Sequence, residues 1–273
     1  MLNDQRQTWF GASTQFLGLR LIEWIDTLRH IGAFLLITLG VLSTKWYQAP
    51  KVVWPLVRTQ IALAGIRLLP TITMIGISLG FVIIGQTVSL LSRVGATNLS
   101  GLLMVTVVVR ELGPLAAALL VLGRFGTGVV IELGTARAMG EVEALEALGI
   151  DPIHYLVVPR LVGLTVSVVA LTVYLILIAF AGGCLFGFLQ EFPLHPSEYF
   201  RQIADALRWQ DFLFLGLKTG AFGVLISLII CYHGLAQPLR LEEVSRATTR
   251  TVAQSVIACL LIDGIFIILY LLI

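Results

Sequence analysis

The chain has 273 residues, of which 58% are hydrophobic and only 12% charged, where an ordinary soluble domain carries about a quarter charged residues. A mean hydropathy of +0.95 and a net charge of +2 exclude a soluble globular domain, a disordered chain and a nucleic-acid binder. The three cysteines, Cys184, Cys231 and Cys259, stand in separate apolar runs with neither metal spacing nor a disulfide framework; they read as small buried hydrophobes.

In chain order, the first residues (MLNDQRQ) carry no signal-peptide or transit-peptide pattern, so the mature chain is expected to start near residue 1. Trp9, Phe10, Phe16, Leu17, Leu21, Trp24, Ile25 and Leu28 then alternate at helical spacing with Arg6, Arg20, Glu23, Asp26 and Arg29. Such a helix lies in the headgroup plane. The apolar run 31–43 is short of the roughly 20 residues a crossing needs and reads as interfacial or re-entrant. Residues 1–54 are therefore taken as an N-terminal interfacial helical region and 55–273 as the membrane domain.

Four runs, about 68–91, 99–123, 161–189 and 251–273, are long and apolar enough to span a bilayer, and a fifth, about 212–236, qualifies although it carries Lys218. The expected fold is an all-α polytopic membrane protein with five transmembrane helices. The outer loop 190–211 contains PLHPSEYFRQIADALRW (193–209), which reads as a short amphipathic helix with Trp209 at the interface. Thirteen Lys and Arg residues fall on the N-terminal side of the membrane and three (Arg93, Arg201, Arg208) on the other. The positive-inside rule therefore puts the N-terminus in the cytoplasm. No internal repeat is visible, so any two-fold symmetry must come from two copies of the chain.

Gly76-Ile77-Ser78-Leu79-Gly80 matches the nucleophile-elbow pattern, but that motif needs a strand-turn-helix setting. Inside an apolar helix it reads as a close-packing face; Gly183-xxx-Gly187 and Gly216-xxx-Gly220 repeat the spacing. His30, His154, His195 and His233 form no HExxH, and no Walker A motif is present. The charges inside the spans say more. Arg110 and Glu111 stand in the middle of the second span, Lys218 in the fourth and Asp263 in the fifth. A charge at such depth costs several kcal/mol and is by default partnered or cavity-facing. Lys218 is expected to pair with Asp263, and Arg110 with Glu111 to line a cavity between spans.

The loop 123–160 carries good helix formers over 136–148. Ala138, Val142, Leu145 and Leu148 share one side of that helix, Glu143 and Glu146 flank it, and Glu141 lies on the other edge. Gly149 and Pro152 end it. A short acidic amphipathic helix between two spans suits docking on a cytoplasmic partner.

The ordered blocks Val109-Arg110-Glu111-Leu112-Gly113-Pro114, Gly123-Arg124, Glu132-Leu133-Gly134, Arg137, Ala144-Leu145, Gly149-Ile150-Asp151-Pro152, Pro159-Arg160 and Val244-Ser-Arg-Ala-Thr-Thr-Arg-Thr-Val252 resemble the MlaE/YrbE family. These are permease subunits of lipid-transporting ABC systems that work with MCE-domain proteins; the plastid lipid-import permease is similar. The resemblance implies a homodimer in the bacterial inner membrane, or in a plastid inner envelope. It also implies a separate P-loop ATPase dimer on the cytoplasmic side, which handles ATP and Mg²⁺, and an MCE-domain substrate-binding protein on the outer side. This chain would be a non-catalytic subunit without cofactor or metal. The resemblance places phospholipid-type substrate at Arg110, Glu111, Ile83, Leu90, Leu91 and Val94, and ATPase coupling at Glu132, Arg137, Glu141, Val142, Glu143, Leu145 and Glu146. Where many members carry Thr-Glu-Gln after the loop arginine, this chain has Met139-Gly140-Glu141. Two other readings compete. In one, an ion-coupled secondary transporter or channel uses Arg110, Glu111 and Asp263 as a relay; the missing inverted repeat weakens it. In the other, the chain is a non-transporting membrane scaffold.

Overall fold

The computed structural model describes residues 29–44, 50–95, 99–189, 196–235 and 244–272, which are helical almost throughout. The amphipathic segment 9–28 lies outside the described residues. Eight helices order the described chain: α1 Arg29–Thr44, α2 Val53–Leu91, α3 Ser100–Ala138, α4 Glu141–Ala147, α5 Ile153–Gly187, α6 Pro196–Ala206, α7 Trp209–Leu235 and α8 Ser245–Leu271. Of these, α2, α3, α5, α7 and α8 are long and apolar enough to cross a membrane, giving an all-α polytopic membrane protein. The short helix α4 lies at one end of the bundle and α6 at the other.

The spanning helices outrun their apolar stretches. At 39 residues each, α2 and α3 rise about 58 Å, against about 30 Å of hydrocarbon. The loop expected over 123–160 shrinks accordingly, because α3 stays helical through Ala138 and α5 starts at Ile153. The block 244–252 forms the first turns of the last helix, ahead of the span expected over about 251–273. The helix beginning at Pro50 runs unbroken to Ala64, so residues 54 and 55 share it.

Helix α1, with 16 residues, rises about 24 Å. Val41 and Leu42 pack with Val53, Val57 and Val158, Thr38 is buried, and the Phe34 and Tyr232 rings meet edge-on at 6.0 Å. It therefore sits at the α4 end, with Leu36 and Ile37 exposed on its other side.

The main core lies at the centre and the α4 end, around Leu122, Leu133, Leu164, Leu175, Phe222, Ile226 and Ile230. A second cluster, around Met104, Val108, Ile176, Phe180, Tyr199 and Ile203, closes the α6 end. Tyr199 on α6 donates its hydroxyl to the Phe180 carbonyl at 3.0 Å, and burial pushes its phenol pKa up. The Gly76–Gly80 stretch is a packing face. At Gly80 a Cβ would overlap the Ala179 carbonyl of α5, so only glycine allows the α2–α5 crossing. Ser78 Oγ donates to the Met74 carbonyl within its own helix. Gly183 also packs, on Ile84 of α2, where a Cβ would come within 2.6 Å, whereas Gly187, Gly216 and Gly220 face open space and are not used for packing inside one chain.

Candidate functional site

Helix α3 is not regular where its charges stand. Residues Val105–Leu112 take the wider π-helical turn, with Gly113 donating to the Val108 carbonyl. Pro114 follows, and it has no N–H to offer the carbonyl of Arg110 four residues back. Lys218 of α7 takes that acceptor: its Nζ donates to Arg110 O at 2.7 Å and to Glu111 Oε2 at 2.9 Å. The ammonium also lies 2.7 Å from Asp263 Oδ1 of α8, a charge contact outside hydrogen-bond alignment. Lys218 is 5% exposed, and its two carboxylate partners are 33% (Glu111) and 13% (Asp263).

Arg110 turns the other way. Its Nε and Nη2 donate to the two oxygens of Asp211 at 2.8 and 3.4 Å, and its guanidinium stacks 4.1 Å over the Tyr270 ring. Asp211 is fully buried. Besides Arg110 it accepts from the Tyr270 hydroxyl at 3.0 Å and from the backbone N–H of Arg208 at 2.8 Å. The last bond caps α7, a reach back from the first turn of the helix. One charged cluster therefore joins α3, α7 and α8. Ionised throughout, its two cations face three carboxylates.

Arg110, Glu111, Asp211, Lys218 and Tyr270 line a cleft with Val109, Phe214, Leu215 and Phe266. Its inner volume of about 20 Å³ holds about one water, not a lipid headgroup. None of Ile83, Leu90, Leu91 and Val94 lines it. Ile83 packs against the second core cluster, Leu91 is half-buried, and Leu90 and Val94 are exposed.

At the other end, the single helix expected over 136–148 is broken. Helix α3 stops at Ala138, Gly140 takes φ +78°, and α4 runs only Glu141–Ala147 before Gly149 at φ +74°. Both glycines occupy the left-handed region that a side chain disfavours. Ala138 and Leu148 consequently do not share a buried face with Val142 and Leu145: Val142 is buried in the main core, Leu145 is half-buried, and Ala138 and Leu148 are exposed. Glu141, Glu143 and Glu146 are exposed beside Met139, Leu148 and Ile150. Glu141 and Glu143 stand in the first turn, where the helix dipole favours them. Arg137 Nε lies 3.8 Å from Glu143, and Glu132 pairs with Arg160 at 2.8 Å.

Among the described residues no group of three metal-ligating side chains comes together. Asp211 and Tyr270 belong to the cluster although neither stands out in the sequence. Their signal was spacing. Asp211 precedes Lys218 by seven residues and Tyr270 follows Asp263 by seven, two helical turns that put each pair on one face.

The profile of the family described as Permease MlaE matches residues 57–269. A "Probable ABC transporter permease protein" of Rickettsia felis is 31% identical over 245 residues, covering 90% of this chain and 92% of that protein. The "Intermembrane phospholipid transport system permease protein MlaE" of Haemophilus influenzae is 28% identical over 244 residues, 88% of this chain and 92% of its own length. Protein TRIGALACTOSYLDIACYLGLYCEROL 1, chloroplastic, of Arabidopsis thaliana is 26% identical over 265 residues, 96% of this chain and 75% of its own. Five membrane-length helices and a family match running through nearly all of them lead to one assignment: the chain belongs to the MlaE permease family.

Proposed function

We propose that the chain is the membrane subunit of an ATP-driven phospholipid transporter. In this reading it acts as a homodimer, an ATPase dimer docks at the α4 end in the cytoplasm, and an MCE-domain protein receives or delivers lipid at the α6 end. The membrane is a bacterial inner membrane, with a plastid envelope as the organellar counterpart. ATP and Mg²⁺ belong to the partner ATPase.

The observation that carries this reading is the buried charged cluster of α3, α7 and α8, in a chain whose relative in Haemophilus influenzae is named for phospholipid transport. The desolvation of five ionisable groups is retained in evolutionarily ordinary membrane helices chiefly where they serve a polar substrate path. Arg110 is the group suited to a lipid phosphate, since its planar fork already holds two oxygens of Asp211 and can trade one for a phosphate oxygen. A cleft with room for one water means that a headgroup needs space made by a second copy or by parting of the three helices. Ile83, Leu90, Leu91 and Val94 then supply apolar wall for acyl chains. On the cytoplasmic side, Glu141, Glu143 and Glu146 present charge to the ATPase, while Val142 and Leu145 hold α4 to the bundle and Glu132 and Arg137 stand in the stem before it.

The test is purification from mild detergent with mass spectrometry of retained proteins and lipids. The expected result is a P-loop ATPase at one copy per permease, together with bound phospholipid. The chain alone and lipid-free, in a detergent that keeps it folded, would overturn the reading.

A further inference from the structure

We propose that Glu132 and Arg160 form a strut that fixes the pose of α4, and that Glu132 serves coupling through this strut rather than through contact with the ATPase. The coupling half rests on the transporter reading; the strut itself does not.

Helix α4 cannot hold its own position. It has seven residues, and isolated helices of that length are not stable in water. Val142 is its one buried side chain. The Arg137–Glu143 pair is long, at 3.8 Å, and partly exposed, so it adds little. The pose of α4 therefore depends on its two stems, the end of α3 and the start of α5.

Arg160 ties these stems together. Nη1 donates to the Leu156 carbonyl in its own stem at 2.8 Å, and Nη2 donates to Glu132 Oε1 in the other stem at 2.8 Å. The guanidinium is 6% exposed and the carboxylate 65%, so the cation is the fixed anchor and Glu132 the accessible arm. The next residue, Leu133, packs so tightly on α7 that a Cβ at Gly234 would come within 2.7 Å of it. A displacement of α4 is thereby passed through Glu132 to α3 and α7, the helices that carry Arg110 and Lys218. Glu132 is a positioning residue in this scheme.

The test has two arms, both on the full chain. Hydrogen exchange is read over residues 139–151 in Glu132→Gln and Glu132→Lys. Glu132 is 65% exposed, so neither substituted side chain has to fit inside the bundle. Glu132→Gln is expected to speed exchange there by about tenfold, Glu132→Lys by more, because it also repels Arg160; residues 164–180 stay protected in both. Unchanged exchange over 139–151 in both variants overturns the strut. The second arm is lipid moved per ATP hydrolysed by the reconstituted assembly, expected to fall about fivefold in Glu132→Gln. Faster exchange with an unchanged ratio overturns the coupling role. If the wild-type assembly moves no lipid with ATP, the transporter reading falls, and exchange alone decides the strut.

Discussion

Lys218 Nζ lies 2.7 Å from the carbonyl oxygen of Arg110, to which Pro114, four residues on, has no N–H to donate. A proline defect in one helix is thus satisfied by an ammonium from another. The same ammonium faces Glu111 and Asp263, so backbone geometry and charge balance meet at one atom.

Pro114→Ala returns an N–H to that position, where it competes with Lys218 for the Arg110 carbonyl. The expected outcome is a fall of about tenfold in lipid transfer, the equivalent of one hydrogen bond to a charged group, at unchanged helix content by circular dichroism. Full activity would show that Lys218 does not depend on the free carbonyl.

Lys218→Met leaves two carboxylates facing each other among apolar residues and should destabilise the fold by about 3–5 kcal/mol. Adding Asp263→Asn removes part of the uncompensated charge. The double variant should therefore fall short of the summed single effects by about 1 kcal/mol or more. Unfolding titrations of the four proteins in detergent measure this; strict additivity would contradict the coupling of the pair.

The spans and the buried charges were legible because hydropathy and membrane insertion costs act over single stretches of chain. What was not legible depended on three dimensions. Asp211 follows Trp209 at a helix start and looks like interfacial polarity until Arg110 and Tyr270 close on it. Its seven-residue spacing from Lys218 was the one local sign. The helices outrun the spans read from hydropathy because they continue through polar residues beyond the apolar stretch, as α3 does to Ala138. The break at Gly140 lay hidden among good helix formers; its φ of +78° is what separates α3 from α4.

The glycine patterns separate in the same way. Gly80→Val drives a side chain into the Ala179 carbonyl and should cost about 3 kcal/mol or prevent folding. Gly216→Ala enters open space and should leave the stability of the single chain within about 1 kcal/mol. Thermal unfolding in detergent compares the two; equal effects would contradict the α2–α5 crossing described here.

Glu143→Lys with Glu146→Lys reverses two exposed charges on α4 without touching the buried Val142. Capture of the ATPase by the tagged permease should drop by about tenfold or more while the thermal transition of the permease itself is retained. Undiminished capture would place the ATPase contact elsewhere.

The central claim, an ATP-driven lipid path through the Arg110 cluster, is tested most directly in liposomes. The assembly is reconstituted with its ATPase, and fluorescent phospholipid transfer is followed with wild type and with Arg110→Ala. The account expects transfer that requires ATP, survives ionophores that collapse proton and sodium gradients, and falls about tenfold or more in Arg110→Ala. Flux that proceeds without ATP and follows an ion gradient would contradict it, and would recast Arg110, Glu111 and Asp263 as an ion relay.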